Sequence, residues 1–248
     1  MLKPLYNAGL LLTAALFLAF ISSSFKLNKI ALLVPQLNHF TDNRIEEKKN
    51  KENNSLYDTW SFSGTGLSKN AFDLAYKGYE FLKQKGALSK INILTIIDFS
   101  KSSAQQRLFV VDMLNGKILL QSLVAHGRNS GEEYASHFSN DNKSHQSSLG
   151  FYITRSTYIG SHGYSLRLEG CEKGINDAAY ARDIVMHPTD YVSENFIRSK
   201  GYIGRSFGCP AVPESSHKQI IDLVKSGSCL FIYHPTETYL AKSKILNG

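Results

Sequence analysis

The sequence predicts a mainly β domain, a β-sandwich or mixed sheets with peripheral helices, preceded by an N-terminal helical extension. Three observations carry that reading. Apolar runs of strand length recur from Ile91 onward, Asn115-Gly116 joins two of them, and helical spacing is confined to two stretches. No internal repeat accompanies them.

Taken in order, Met1-Leu2-Lys3, an apolar stretch from Ala8 to Ile21 and Ser22-Ser23-Ser24 have the make-up of a secretory signal peptide over residues 1–24, cleaved near Ser24. Its apolar part is 14 residues (8 to 21), short of the roughly 20 that span a bilayer. Counting back to Leu5 lengthens it, so an uncleaved anchor is the alternative and would be the chain's one membrane contact. No cysteine precedes Cys171, which excludes a lipidated cysteine at the cleavage site. The chain is expected to be exported. Residues 25–90 read as a linker and a helix: 41–58 are rich in Asn, Lys, Glu and Asp, and Leu67, Ala71, Leu74, Ala75, Gly78, Tyr79 and Leu82 then recur at helical spacing until Gly86.

Residues 91–240 form the main domain. Ile91 to Asp98 reads as a strand, and Arg107 to Asp112 and Lys117 to Val124 as a hairpin around Asn115-Gly116, the strongest short hairpin signal. Further strands are expected over Gly150 to Arg155, Tyr164 to Glu169, Asp183 to His187 and Ser228 to His234. Arg128 to Ser148 is a long loop, of a length that often carries function. Glu214 to Lys225 offers a second helix, with Ile220, Ile221 and Val224 on one side and Gly227 at its end.

The net charge of +7 and pI near 9.2 do not mark a nucleic-acid binder. The lysines are scattered, and the tightest run (Lys48, Lys49, Lys51) sits beside Glu46, Glu47 and Glu52, which describes a solvated surface. Attraction to an anionic envelope polymer is the second reading. Of the three cysteines, Cys229 lies in an apolar strand, and no disulfide with Cys171 is expected. His126, His137, His145 and His162 fall near the long loop, but no His-x₃-His or Cys-x₂-Cys spacing occurs, so no metal is expected. Nothing fits the Gly-x-Ser-x-Gly elbow of a serine hydrolase as well as Cys209 fits its own motif, no phosphate-cradling Gly-x-x-x-x-Gly-Lys loop appears, and no cofactor is implied.

The chemistry concentrates in Gly204-Arg205-Ser206-Phe207-Gly208-Cys209-Pro210, preceded by Ile184-Val185-Met186-His187. A lone strand-end histidine is usually a satisfied structural group, and a lone cysteine a small buried hydrophobe. The company of Arg, Ser, Gly and Pro around Cys209 argues for more. An imidazole within reach would take the thiol proton and stabilise a thiolate, and Gly208 would let backbone approach a bound carbonyl.

These residues resemble the signature of the L,D-transpeptidase (YkuD-like) catalytic domain, in the branch where Arg-Ser-aromatic-Gly-Cys-Pro follows a Val-Met-His strand. His126-Gly127, Phe138-Ser139-Asn140, Ser147 to Tyr152 and Ser165 to Leu168 match as well, so the likeness runs over about 92–234. It implies a periplasmic or wall-associated enzyme acting on peptidoglycan stem peptides. Cys209 would attack the carbonyl between the third residue and D-Ala of a tetrapeptide to form a thioester, which an amine (transpeptidation) or water (carboxypeptidase action) resolves. His187 would be base and then acid, backbone N–H groups of Gly208 and Cys209 the oxyanion donors, and Ser206 a brace or substrate ligand. Arg205, Arg182, Ser139 and Asn140 are the substrate-binding candidates.

Three departures stand out. Pro188 follows His187 where glycine is usual, Phe207 replaces a second histidine, and Pro210-Ala211 replaces the hydrophobic-Arg pair after the cysteine. The last leaves the stem carboxylate without its usual charge, which Arg205 or Arg182 could supply. The rival readings are a cysteine peptidase or amidase for another envelope peptide, and a non-catalytic wall-binding protein that keeps the fold.

Overall fold

The computed structural model describes residues 55–248. The expected signal peptide and residues 41–54 of the polar segment lie outside them. Ser55 caps a short helix, α1 (Leu56–Thr59), its hydroxyl accepting the Tyr57 N–H at 3.2 Å. Tyr57, Trp60, Phe62 and Phe72 follow as a nest of mostly edge-to-face rings, centroids 5.2–6.0 Å apart. Tyr57 is buried and its hydroxyl donates to Leu67 O at 2.7 Å. The end of the segment expected to be a linker is therefore part of the folded body, because its aromatic side chains outweigh the polar ones around them.

The helix expected from spacing is α2 (Lys69–Gln84), capped by Ser68 on the Ala71 N–H. Gly86 follows it with a φ of +66°. Its buried stripe, Ala71, Ala75, Gly78, Tyr79 and Leu82, lies in the same core as the sheet. At Gly78 a Cβ would fall 2.0 Å from Phe151 Cζ, so the missing side chain lets the helix rest directly on that ring.

Eight strands follow: β1 (Ile93–Asp98), β2 (Leu108–Asp112), β3 (Lys117–Ser122), β4 (Gly150–Gly160), β5 (Gly163–Gly170), β6 (Val185–Thr189), β7 (Ala211–Pro213) and β8 (Cys229–Tyr233). They form one mixed sheet in the order β3-β2-β1-β8-β4-β5-β6-β7, so the expected mainly β fold takes the mixed-sheet form. β1 pairs with β8, and β6 with β7, in parallel; the other neighbours are antiparallel. β1 and β8 are buried along their whole length, the pattern of strands covered on both faces. The remaining helices are α3 (Glu194–Lys200), α4 (His217–Val224), α5 (Glu237–Lys242) and α6 (Lys244–Asn247).

Two buried charged groups organise the ends of the sheet. The Glu172 carboxylate accepts from the Phe151 N–H (2.8 Å), the Tyr239 hydroxyl (3.1 Å) and the Ser243 hydroxyl, tying the last two helices to β4. The fully buried Arg107 donates to the carbonyls of Val124 and Lys101 and lies 2.8 Å from His126 Nδ1. Burial holds Arg107 down to about 9 and His126 down to about 3, with the Arg107 charge adding to the effect on His126. His126 is therefore neutral. It accepts from Arg107 and turns Nε2 toward Gly131 O at 3.3 Å.

Candidate active site

The parallel register of β6 and β7 sets the site. His187 pairs with Ala211, so Cys209, two residues earlier, lies alongside Val185, two residues before the histidine. The sulfur accordingly takes its contacts from that end of the strand, accepting from the Val185 N–H at 3.5 Å and donating to Asp183 O at 3.6 Å. Asp183 holds a φ of +53°, a conformation that Asp tolerates better than most side chains. No hydrogen bond joins Cys209 to His187 among the described residues. Burial pushes the thiol up from its ordinary range, against the smaller lowering effects of the Val185 N–H and the Arg182 charge, so the resting sulfur is a thiol. The expectation of a stabilised resting thiolate is corrected on this point: the pocket desolvates the sulfur more than it supplies positive charge.

The turn carrying the cysteine is built from both sides. Ser206 accepts the Gly208 N–H at 3.1 Å and donates to Cys209 O at 2.6 Å, so its hydroxyl braces the turn. Its backbone bridges to the loop after β3, with Ser206 N–H to His126 O at 3.0 Å and Arg128 N–H to Ser206 O at 2.7 Å. Ser147 donates to Gly208 O at 3.2 Å. Gly208 has a φ of +123°, and a Cβ there would meet Gln146 O at 2.8 Å, so no other residue fits. Because Ser206 occupies the Gly208 N–H, that group is not free as an oxyanion donor. The Cys209 N–H makes no hydrogen bond among the described residues.

His187 is buried, and its Nδ1 lies 3.0 Å from Pro188 O. A carbonyl can only accept, so Nδ1 carries the proton and Nε2 is left as the basic nitrogen, without a protein partner among the described residues. The ring stacks on His162, at the tip of the β4–β5 hairpin, with centroids 4.4 Å apart and planes at 27°. Burial first, and the neighbouring imidazole after it, hold the His187 pKa below its usual value against the Pro188 bond. His162 was grouped in the sequence with scattered loop histidines; no local signal distinguishes it, because the contact depends on hairpin geometry.

The other candidates divide. Arg182 donates to Ser139 O (2.8 Å), Ser148 Oγ (2.6 Å), Ser144 Oγ (3.1 Å) and Gln146 O (2.8 Å), so its guanidinium fastens the long loop. Ser139 Oγ accepts the Asp141 N–H, while Asn140 bonds Asp177 and the Ala178 N–H. Ser139 and Asn140 line a cleft of about 390 Å³ shared with Thr236 and Lys242, which does not include Cys209. Arg205 is exposed and lines a different cleft, of about 490 Å³, along the stretch leading into the cysteine turn. Tyr191 also lines that cleft, and burial raises its pKa above the usual value. No local pattern around Tyr191 marks it in the sequence. All three cysteines are free.

A cysteine thiol beside a backbone N–H unbonded among the described residues, with a tautomer-locked imidazole on the adjoining strand, is the set of groups that acyl transfer through sulfur uses. The family model for the YkuD_2 L,D-transpeptidase catalytic domain matches residues 63–233. The chain belongs to the L,D-transpeptidase catalytic domain family. No curated protein matches it. Solved structures similar to it include an L,D-transpeptidase from Mycobacterium smegmatis (13% identity, 58% of this chain and 59% of that one, TM-score 0.35). Others are an L,D-transpeptidase from Stackebrandtia nassauensis (14%, 73% and 76%, 0.36) and the helical cell shape determining protein Pgp2 from Campylobacter jejuni (10%, 69% and 58%, 0.39). The chain thus spans less than two thirds of the length of the first and third of these.

Proposed function

We propose that the protein is an exported cysteine enzyme that acts on peptidoglycan stem tetrapeptides through a Cys209 thioester. The observation that carries this reading is the division of hydrogen bonds around the turn. The two bonds of the Ser206 hydroxyl, from Gly208 N–H and to Cys209 O, hold the backbone, while the Cys209 N–H and His187 Nε2 are without partners among the described residues. The groups left over are those a thiol acylation needs.

In this reading the Cys209 thiol gives its proton to His187 Nε2 as the sulfur attacks the carbonyl carbon of the bond to D-Ala. The oxygen that gains charge takes the Cys209 N–H. The carbon–nitrogen bond then breaks, the imidazolium returns its proton to the departing amine, and a thioester remains. Attack by a stem-peptide amine or by water releases the enzyme. The Pro188 carbonyl holds the imidazole in the correct tautomer throughout. The bond between sulfur and imidazole forms only with substrate present, as catalytic hydrogen bonds often tighten on binding.

The desolvated thiol and its lack of a bond to His187 favour one second reading, a wall-binding protein that has kept the fold without the chemistry. A carbapenem followed by intact-mass measurement separates them. One adduct is expected on the wild type and none on Cys209→Ala, with His187→Ala slowed at least about 100-fold. Adducts on both proteins, or on neither while purified sacculi still bind, would leave the binding protein as the answer.

A further inference from the structure

The cleft of about 490 Å³ beside the cysteine turn is lined by three cations, Arg128, Lys200 and Arg205, and carries no acidic residue in its lining. Glu132 approaches it only through the Tyr202 hydroxyl, at 3.4 Å. Arg205 already gives one nitrogen to the carbonyls of Arg128 and Gly131, at 3.3 and 3.1 Å. Arg128 differs. Its guanidinium makes no hydrogen bond or ion pair among the described residues, yet it is held over the Phe207 ring at 5.6 Å. Phe207 in turn contacts His145, centroids 4.6 Å apart, and is 63% exposed.

A guanidinium placed over an aromatic face is held by cation–π attraction while its N–H groups stay available to a ligand. The backbone under this pair is the cysteine turn itself: Arg128 N–H bonds Ser206 O at 2.7 Å, three residues from the sulfur. Tyr191 and Gly204 line the same cleft, joined by the Gly204 N–H to Tyr191 O bond at 2.8 Å. The chain lacks an arginine directly after Cys209, where Pro210-Ala211 stands, and both terminal nitrogens of Arg182 are engaged in fastening the long loop. The one guanidinium next to the turn with all its donors open is Arg128.

We infer that this cleft is a carboxylate subsite for the acyl-donor stem peptide, with Arg128, set on Phe207, as its principal ligand and Arg205 and Lys200 as supporting charge. The assignment rests on the proposed function and names how its substrate is held. Phe207 thus acts as a platform in a position where the family motif has a second histidine.

The test is a coupling measurement on binding, made in the Cys209→Ala protein so that no turnover intervenes. The probes are a synthetic stem tetrapeptide and versions with one carboxylate amidated at a time, titrated calorimetrically at low and high salt. Amidation of one carboxylate is expected to weaken binding about tenfold, with the effect shrinking in high salt. That penalty should vanish when Arg128→Gln is added to Cys209→Ala. Because the Arg128 guanidinium makes no hydrogen bond or ion pair among the described residues and rests only on the exposed Phe207 ring, the double variant's unfolding equilibrium constant should lie within about twofold of its parent's, about 0.5 kcal/mol. A penalty that survives Arg128→Gln, a stem indifferent to every amidation, or no binding of any stem would each overturn the subsite. Absence of a carbapenem adduct on the wild type, with the amidation coupling intact, would instead overturn the Cys209 chemistry and leave the cleft standing.

Discussion

His162 and His187 show how one residue can condition another without touching substrate. The stacked imidazole covers His187 and adds a like charge whenever both are protonated, and both effects keep the His187 pKa low. A base with a lowered pKa stays neutral, and hence usable, further into acid. His162→Ala is expected to move the acid limb of the Cys209 acylation rate to higher pH. His162→Phe, which keeps the cover and removes the charge, should lie between the two. The pH profile of carbapenem adduct formation reads the difference, and identical profiles for all three proteins would show the stack to be inert.

At the scale of elements, α2 rests directly on the sheet at Gly78. Phe151 is fully buried and stacked on Phe231, centroids 4.2 Å apart, so it has no room to yield to a methyl group 2.0 Å away. Gly78→Ala gains roughly 1 kcal/mol of helix propensity and meets an overpacking cost of about 1–3 kcal/mol. A lower urea midpoint with an unchanged slope is the expected result. Legibility followed the same division between local and distant causes. The β2–β3 hairpin was readable because Asn115-Gly116 states its own turn, and Gly116 takes a φ of +62°. The helix α2 was readable from its spacing, and the cysteine turn from its unusual composition. The parallel pairs β1–β8 and β6–β7 were not, since strands more than twenty residues apart carry no mark of their register. That register is what puts Cys209 beside Val185. The short helix α3 and the three-residue strand β7 were missed because neither is long enough to show a period.

For the molecule as a whole, the buried pair of Arg107 and His126 couples stability to pH. His126 titrates at its ordinary 6.5 when unfolded and at about 3 when folded. Between those values the unfolded chain binds the extra proton, so stability is fully present above pH 6.5 and is lost as pH falls toward 3. At 1.36 kcal/mol per unit, the loss attributable to this group approaches about 4–5 kcal/mol at the acid end. His126→Asn keeps an acceptor for Arg107 and cannot titrate. Its denaturation midpoint should therefore fall less steeply than that of the wild type across this window; parallel curves would assign the acid sensitivity to the carboxylates.

The position of β8 in the sheet has a consequence for how the molecule comes into being. Its partners β1 and β4 are emerged from the ribosome long before it, yet they do not touch each other and must wait for the strand that separates them. Without residues 229–233, β3-β2-β1 and β4-β5-β6-β7 share no strand ladder and are linked in the backbone by the isolated bridges Ala125–Ala211 and Gly127–Ser206. β8 is thus the strand whose pairing on both sides turns two separate ladders into one continuous sheet.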